Sequence, residues 1–299
     1  MCIRDRKKAN ISINDINALA VTNGPGLMPA LLVGLSFARG ICSNHKLPLI
    51  GVNHFIAHIY AAFLNDANML LAKPESYPIL ALVVSGGHTA LVVIDKDQTA
   101  RIIGTTIDDA AGEALDKGAK ILNLDYPGGP IIDKLSISGD KDAYHFPRSL
   151  TGGAGKPLAQ ENLFNFSFSG LKTALLHHID KHKIENIKDQ MLHDTAASYQ
   201  YAVVDVLCMK TIKASRTFKC KSIVLCGGVA QNSLLRIELQ SRTPGNVNFI
   251  LTPKEFCGDN AAMIAGLGYH YLGLKENNIE IDAFSRLPEI TKVPFVPSF

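Results

Sequence analysis

The sequence predicts an α/β protein whose two halves enclose a nucleotide-binding cleft, and three observations support this fold class. Short apolar runs alternate with segments of helical periodicity along most of the chain. Two of the apolar runs end in a Gly-Gly turn that is followed by a polar group. The chain of 299 residues, 47% of them hydrophobic, is long enough to bury a large core divided between two domains or two halves.

The charge and cysteine content narrow the class of protein. A net charge of +3 permits a polyanionic partner without requiring one. The six cysteines are scattered and contain no Cys-x-x-Cys pair, which is typical of reduced, mostly buried thiols in a cytoplasmic protein. No uninterrupted apolar run could span a bilayer, and the charged residues 1–8 do not resemble a signal peptide. We therefore expect a cytoplasmic protein without membrane attachment.

The first half of the predicted fold comprises residues 1–76. Residues 18–22 form an apolar strand that ends in the turn Asn23-Gly24-Pro25-Gly26, and residues 27–42 carry apolar side chains at helical spacing. A second strand is predicted at 48–52 and a helix at 54–64. Residues 65–77 are less patterned and end near Pro74 and Pro78, so we expect a linker there and a first domain at 1–76.

The second half is predicted at 77–273. It contains apolar strands at 79–84, 89–94, 100–105, 222–226 and 246–251, and helices at 108–122, 191–218, 230–240 and 259–272. A loop-rich insertion with scattered helix is expected at about 126–190. The tail, residues 274–299, contains Pro288, Pro294 and Pro297, and should be extended.

Both Gly-Gly turns follow strands of this second half. The first is Ser85-Gly86-Gly87-His88, and the second, Gly227-Gly228, leads into a predicted helix. Paired glycines let the backbone approach a phosphate or sugar closely, and a helix N-terminus attracts anions. Either turn alone is more simply a tight turn. Two copies favour a nucleotide cleft, the arrangement expected of duplicated, mixed-sheet folds of the actin-like, sugar-kinase-like class.

Two histidines and a distant carboxylate are candidate metal ligands. His54 and His58 lie one helical turn apart, so both imidazoles can face one ion, and Asp259 could add a carboxylate. The spacing fits ordinary helix histidines equally well, and Asp259 could instead cap a helix. The zinc-protease motif requires Glu directly after the first His, but this chain has Phe55 there, which argues against a metalloprotease.

A series of motifs, in this order, resembles the tRNA N6-adenosine threonylcarbamoyltransferases of the TsaD type, formerly called glycoproteases or O-sialoglycoprotein endopeptidases. The motifs are Val21-Thr22-Asn23-Gly24-Pro25-Gly26-Leu27, Val52-Asn53-His54 with His58, Val84-Ser85-Gly86-Gly87-His88-Thr89, Asp108-Asp109-Ala110-Ala111-Gly112-Glu113-Ala114-Leu115-Asp116-Lys117, Tyr126-Pro127-Gly128-Gly129-Pro130, Phe166-Ser167-Phe168-Ser169-Gly170-Leu171-Lys172-Thr173, Cys226-Gly227-Gly228-Val229-Ala230-Gln231-Asn232 and Cys257-Gly258-Asp259-Asn260-Ala261. The resemblance implies transfer of a threonylcarbamoyl group from threonylcarbamoyl-AMP to the exocyclic amine of the adenosine beside the anticodon.

The resemblance also implies roles for particular residues. His54, His58 and Asp259 would hold one divalent metal, iron or alternatively zinc, as a Lewis acid. The adenylate would contact a set of substrate-binding residues: Val83, Val84, Ser85, Gly86, Gly87, Asp116, Gly129, Asp133 and Asn232. Within this set, Asp116 would accept hydrogen bonds from the ribose. Without the resemblance, the simpler interpretation of Asp116 is a solvated residue on a helix surface. The nearby Asp109, Glu113 and Lys117 are charged residues of the kind that form ordinary i,i+4 ion pairs there.

The implied partners are tRNA, a homologous scaffold subunit (TsaB-like) and a small ATPase (TsaE-like). Two segments could contact tRNA: the loop Phe166-Ser167-Phe168, and the basic stripe formed by Lys210, Lys213, Arg216 and Lys219. Inward packing of the two phenylalanines and a solvated helix face are the simpler alternatives.

One departure from the family concerns the N-terminus. Family members open with a strand bearing Asp-Thr-Ser and Cys-Asp-Glu-Thr and add two more strands, whereas this chain starts Met1-Cys2-Ile3-Arg4. We expect a first half that lacks these strands and has an open sheet edge. The alternatives to the transferase are a non-catalytic fragment or scaffold subunit, a metalloprotease, and an ATP-dependent small-molecule kinase of the same fold class.

Overall fold

Two β-sheets organise the chain in the computed structural model, which describes residues 7–65, 68–152, 158–181, 189–272, 281–286, 290–293 and 295. The smaller sheet contains β1 (Leu19–Gly24) and β2 (Leu49–Asn53), which run parallel. The larger, six-stranded sheet contains β3 (Ile79–Val84), β4 (Thr89–Ile94), β5 (Thr99–Thr105), β6 (Ser222–Cys226), β7 (Asn248–Leu251) and β8 (Ile290–Lys292). Its strand order is β7-β6-β3-β4-β5-β8.

Helices cover both faces of the larger sheet. Their bounds are α1 Met28–His45, α2 His54–Tyr60, α3 Asn68–Leu71, α4 Ala111–Ile121, α5 Gly128–Ser136, α6 Ser169–Lys181, α7 Asp189–Thr217, α8 Ser233–Arg242, α9 Lys254–Cys257 and α10 Ala261–Tyr271. Short 3-10 turns at Ala61–Phe63 and Gly228–Gln231 follow α2 and β6. Within the described ranges, none of the helices is both long and apolar enough to cross a membrane.

Most predicted elements are present, and the differences lie at their ends. The strands predicted at 79–84, 89–94 and 222–226 have the observed bounds. The helix predicted at 230–240 begins later, at Ser233, because a 3-10 turn occupies Gly228–Gln231. Part of the tail predicted at 274–299 is extended, and Ile290–Lys292 pairs with β5 as an edge strand. The domain boundaries at 76/77 and 273/274 stay a prediction.

The central strand β3 is buried along its whole length and separates two hydrophobic cores. Leu80, Leu82 and Val84 pack with α4 and α7 in one core. The alternate residues Ile79, Ala81 and Val83 pack with α2 and α10 in the other. Because successive side chains of a strand point to opposite faces, a strand covered on both faces is apolar throughout. This explains the continuous apolar run of β3.

The pairing of β3 with β6 decides where the two glycine turns lie. These strands are parallel, and their register runs from Ile79 opposite Ser222 to Val83 opposite Cys226. Their carboxyl ends therefore meet at one edge of the sheet, and the turns that follow them are neighbours. Ligands of open α/β sheets commonly bind outside the carboxyl ends of the strands.

The smaller sheet packs against α1 through one apolar stripe of that helix. Leu35, Ala38 and Cys42 of α1 form a core cluster with Leu49 of β2. Another part of the same helix exposes Leu32, Val33 and Phe37. Within the described residues this sheet contains β1 and β2 only. The N-terminal truncation inferred from the family resemblance stays a prediction.

The cysteines in the described part of the chain are free and buried, as predicted. They are Cys42, Cys208, Cys220, Cys226 and Cys257. Burial raises the pKa of the Cys208 and Cys220 thiols to about 12, so both are protonated at neutral pH. These cysteines act as small apolar core residues. Cys2 lies outside the described residues.

Two glycine-to-alanine changes should have opposite effects on stability. A Cβ on Gly118 of α4 would collide with the ring of Tyr199 on α7, and Tyr199 is fully buried with its hydroxyl donating to the Ala114 carbonyl at 2.8 Å. Gly118→Ala should lower the free energy of unfolding by about 1–3 kcal/mol. Gly34 of α1 has open space at its Cβ position, so Gly34→Ala should raise it by about 0.5–1 kcal/mol. Urea unfolding followed by circular dichroism measures both, and a Gly118→Ala protein as stable as the parent would contradict the packing described here.

Candidate active site

The histidine pair is positioned by the start of α2. Asn53 ends β2 and caps this helix, since its side-chain oxygen accepts a hydrogen bond from the backbone N–H of Ile56 at 3.1 Å. His54 is therefore the first helical residue, and His58 follows one turn later on the same face. The centroids of the two imidazole rings are 4.7 Å apart.

The carboxylate is positioned by the start of α10. Asn260, rather than Asp259, caps this helix: its side-chain oxygen accepts from the backbone N–H of Met263 at 2.9 Å, and its amide donates to the Gly258 carbonyl at 2.9 Å. The alternative in which Asp259 serves as the helix cap is therefore wrong. Its carboxylate instead faces the two histidines.

The three side chains meet at atoms suited to metal coordination. One carboxylate oxygen of Asp259 lies 3.1 Å from Nε2 of His58 and 3.3 Å from Nε2 of His54. Ligand atoms of the three residues all lie within 4.8 Å of one another. Histidine nitrogen and carboxylate oxygen bind Zn²⁺ at about 2.0–2.2 Å, so two ligand atoms of one ion lie roughly 3 Å apart. The cluster can hold a divalent metal ion.

The lowered pKa of His58 also suits a metal ligand. Burial, and secondly the neighbouring His54, lowers the pKa of His58 to about 4, although Asp259 opposes this shift. Burial and His54 also lower the pKa of His88. A neutral imidazole keeps a lone pair for coordination, whereas a protonated one does not. His58 Nδ1 is buried and has no hydrogen-bond partner among the described residues.

Phe55 occupies the position where a zinc protease of this motif carries its catalytic glutamate. Its side chain is buried, and its ring lies 6.1 Å from that of His88. A phenylalanine cannot accept the proton of an attacking water, so the histidine pair lacks the general base of that protease class.

A cavity of about 370 Å³ lies where the two glycine turns meet α4 and α5. Five of the predicted substrate-binding residues line it: Gly86, Asp116, Gly129, Asp133 and Asn232. Val83 and Val84 are buried at the end of β3, and Ser85 and Gly87 belong to the adjoining turn. Gly228 of the second glycine turn also lines it, and so do six residues to which the sequence assigned no role: Gly112, Leu115, Pro127, Pro130, Val229 and Gln231.

The glycines of the two turns serve different purposes. Gly227 has φ +93°, and a Cβ there would collide with the Val84 carbonyl, so the backbone itself requires glycine. Gly86, Gly87 and Gly228 have open space at the Cβ position. Their backbone surface is thus accessible to a ligand, as in other anion-binding turns.

Asp116 faces the cavity rather than the solvated helix surface. One of its carboxylate oxygens accepts hydrogen bonds from the backbone N–H groups of Gly128 at 2.8 Å and Gly129 at 3.2 Å, at the start of α5. The ion pairs anticipated on this helix form through Lys117, which contacts Asp109 at 2.6 Å and Glu113 at 2.9 Å. The surface-residue alternative therefore does not describe Asp116.

Asp133 and Asn232 connect the walls of the cavity. Asp133 of α5 accepts hydrogen bonds from the backbone N–H of Ser233 at 3.0 Å and from its hydroxyl at 2.8 Å. Asn232 caps α8 by accepting from the backbone N–H of Leu235 at 2.9 Å. The Asp133 side chain thus joins α5 to the N-terminus of α8, and Asn232 fixes where α8 begins.

The turn between β3 and β4 links the cavity to the histidine cluster. The backbone N–H of Ser85 donates to the His88 carbonyl at 2.8 Å, and the N–H of His88 donates to the Ser85 hydroxyl at 3.1 Å. Gly86 of this turn lines the cavity, while the pKa of His88 is shifted by His54 and Asp259. A larger groove of about 770 Å³, mainly apolar, also borders His54 and Asp259.

Comparison with known proteins identifies the family. A family model described as tRNA N6-adenosine threonylcarbamoyltransferase, TsaD, matches residues 6–266. The chain belongs to this family. A relative of that name from Thermosipho africanus is 47% identical over 87% of this chain and 74% of its own length. One from Syntrophus aciditrophicus is 44% identical over 94% of this chain and 78% of its own length.

Two solved structures share the fold. HypF from T. kodakarensis has a TM-score of 0.56 at 15% identity, covering 90% of this chain and 42% of HypF. Full-length HypF in a phosphate- and nucleotide-bound form has a TM-score of 0.54 at 14% identity, covering 81% of this chain and 38% of HypF. This chain thus spans less than half of each HypF chain. At these identities the likeness concerns the fold alone, and the predicted actin-like α/β fold is confirmed.

Membership in the threonylcarbamoyltransferase family confirms the predicted activity. The protein is a transferase that acts on tRNA and forms N6-threonylcarbamoyladenosine. None of the alternatives, a scaffold subunit, a metalloprotease or a small-molecule kinase, is better supported by these relatives.

Parts of the two segments considered for tRNA contacts are buried in the protein. Phe166 and Phe168 are fully buried, with ring centroids 6.1 Å apart, so the inward-packing alternative is confirmed. Lys210 is buried too: its ammonium group donates to the carbonyls of Asn162 and Leu163 at 2.9 and 3.1 Å, and burial lowers its pKa to about 8. A tRNA role for the exposed remainder of the basic stripe stays a prediction.

Loss of the Asp259 charge should weaken metal binding. Asp259→Asn keeps the size of the side chain but removes its negative charge, so metal affinity should fall roughly tenfold or more. Glu255→Gln is the matched control, because Glu255 is an exposed carboxylate on neighbouring α9 and is outside the cluster. Metal content by mass spectrometry and titration of the apo protein with Fe²⁺ and Zn²⁺ measure the effect. Equal metal affinity in both variants would remove Asp259 from the ligand set.

Proposed function

We propose that the histidine cluster and the adjoining cavity form one active site, in which the cavity binds the adenylate of threonylcarbamoyl-AMP beside a metal ion. The observation that carries this proposal is the Ser85–His88 turn. It contributes Gly86 to the cavity and His88 to the surroundings of the histidine cluster. A donor molecule held by the cavity would therefore extend its reactive end towards the cluster.

His54, His58 and Asp259 are the proposed metal ligands. Two imidazoles and one carboxylate form a donor set that favours iron, with zinc as the alternative. A bound ion would act as a Lewis acid on the phosphate or carbonyl oxygens of the donor. The lowered pKa of His58 keeps its imidazole neutral at neutral pH, so that protons do not compete with an ion there.

The cavity residues are proposed to bind and orient the adenylate. One carboxylate oxygen of Asp116 is occupied by the two glycine N–H groups, and the other remains to accept hydrogen bonds from the ribose hydroxyls. The accessible backbone of Gly86, Gly87 and Gly228 can approach the phosphate. Asp133 and Asn232 support the cavity, because Asp133 joins α5 to Ser233 of α8 and Asn232 caps α8.

The reaction is an acyl transfer. The exocyclic amine of the tRNA adenosine forms a new C–N bond to the carbamoyl carbon, the C–O bond to the phosphate breaks, AMP leaves and the amine loses a proton. The residues of this chain would accelerate it mainly by fixing the donor so that the carbonyl carbon faces the incoming amine. Interactions with the phosphate that strengthen as AMP departs would lower the barrier further.

The proposed partners are a homologous scaffold subunit and a small ATPase, as the family resemblance implies. The exposed apolar residues Leu32, Val33 and Phe37 of α1 support the presence of a protein partner on this helix. Adjoining apolar side chains at a surface commonly mark a protein–protein contact.

The direct test is threonylcarbamoyl transfer in vitro with preformed threonylcarbamoyl-AMP, unmodified tRNA and the partner subunits. His54→Ala should lower the rate about 100-fold or more, because the Lewis acid contribution amounts to several kcal/mol. His45→Ala, an exposed histidine at the end of α1, is the matched control and should leave the rate unchanged. Full activity of His54→Ala would refute the role of the cluster. A parent protein that binds metal and AMP yet gives no product would favour the scaffold alternative.

Asp116→Asn separates two roles of this side chain. The amide oxygen can still accept from Gly128 and Gly129, but the second carboxylate oxygen becomes an NH₂ group that cannot accept from the ribose. AMP affinity should fall roughly tenfold, while metal content stays unchanged. Asp125→Asn, in the exposed loop before α5, is the control. Calorimetric titration with AMP gives both affinities, and identical values would count against the ribose contact.

A further inference from the structure

A buried amide side chain lies behind the proposed adenylate cavity. Gln200 belongs to the long helix α7 and is 1% exposed. It does not line the cavity, yet its two polar atoms contact residues that do. Buried polar side chains are costly unless both ends are hydrogen-bonded, so such an arrangement constrains its neighbours strongly.

The hydrogen bonds of Gln200 form a chain with one defined direction. Its Nε2 donates to the Asp133 carboxylate at 3.2 Å, and its Oε1 accepts from Nδ2 of Asn232 at 3.0 Å. The Oδ1 atom of Asn232 accepts from the backbone N–H of Leu235 at 2.9 Å. The carboxylate can only accept and the backbone N–H can only donate, so the orientations of both amides are determined.

Only an amide at position 200 satisfies both neighbours. A carboxylate there would meet the Asp133 carboxylate with no proton between them, and an apolar side chain would leave the buried Asn232 amide without an acceptor. Asp133 lies on α5, Asn232 lies at the start of α8, and both line the cavity. Gln200 therefore ties these two lining residues to a third helix, α7.

We propose that Gln200 is a positioning residue for the adenylate: it sets the separation and the side-chain orientations of Asp133 and Asn232, and thereby the affinity of the cavity. This inference rests on the proposed function of that cavity. Gln200 touches neither the cavity nor the histidine cluster. Its effect should thus appear in the KM for the donor and in AMP binding, with kcat and metal content little changed.

AMP binding to the full chain, measured by calorimetry, tests the inference. Gln200→Met has a similar shape without polar atoms and should weaken AMP binding roughly tenfold. Gln190→Met is the matched control on the same helix: Gln190 is exposed, and its amide bonds to the Ser138 carbonyl at 3.0 Å and to Asp194 at 2.7 Å, away from the cavity. The control variant should bind AMP as the parent does.

A charge exchange provides a readout that a purely structural role would not produce. Gln200→Glu should weaken AMP binding at least as much as Gln200→Met, because two carboxylates then face each other. Adding Asp133→Asn to Gln200→Glu restores a donor opposite the new carboxylate and returns the number of charges to that of the parent. The double variant should bind AMP more tightly than Gln200→Glu does, the coupling expected of residues in direct contact.

The outcomes distinguish failure of the Gln200 role from failure of the proposed adenylate binding by the cavity. Parent-like AMP affinity in a folded Gln200→Met protein overturns the inference, as does an equal loss in Gln190→Met. If Gln200→Met fails to fold, the charge exchange decides: a double variant no better than Gln200→Glu overturns it, and recovery supports it. A parent protein that does not bind AMP refutes the proposed cavity function and this inference with it.

Discussion

The parallel pairing of β3 and β6 is the constraint on which the candidate active site depends. Their register places the ends of both strands, Val84 and Cys226, at the same edge of the sheet. Each strand is followed by a glycine turn, and the two turns meet beside α4 and α5. A Cβ on Gly227 would collide with the Val84 carbonyl, so the two strand ends can approach each other this closely only with glycine at position 227. Had β6 run antiparallel to β3, its turn would lie at the opposite edge of the sheet and the cavity would not form.

Helix caps are the second means by which this chain positions its functional groups. Asn53 and Asn260 satisfy the free N–H groups of α2 and α10, and they stand directly before His54 and directly after Asp259. The caps determine where the helices begin, and therefore where His54, His58 and Asp259 lie. Because Asn260 takes the capping role, the Asp259 carboxylate is available to the histidines. At the cavity, Asp116 caps α5 from a neighbouring helix with one oxygen only.

The cavity walls depend on buried polar contacts rather than on apolar packing alone. Asp133, Asn232 and Gln200 join three helices through directional hydrogen bonds. Apolar packing between the same helices would tolerate small shifts, whereas a hydrogen bond loses strength steeply when its geometry changes. Such a network suits a site that must hold a small polar ligand at a defined distance from a second group. The Ser85–His88 turn lies between this network and the histidine cluster, and an internal hydrogen bond from the His88 N–H to the Ser85 hydroxyl supports it.

The sequence by itself determined most of the elements, the fold class and the family, and it supplied the candidate site residues, because these depend on local patterns. Strands such as β3 were evident as apolar runs, and the motifs around His54 and Asp259 stand in family order. Only the tertiary structure decided what each side chain contacts. It separated Lys117, which pairs with Asp109 and Glu113, from Asp116, which faces the cavity. It also showed Lys210 and the pair Phe166 and Phe168 to be core residues, and it brought Gln200 behind the cavity. The physical reason is that periodicity specifies the face of an element on which a residue lies, whereas the neighbour across that face comes from a distant part of the chain.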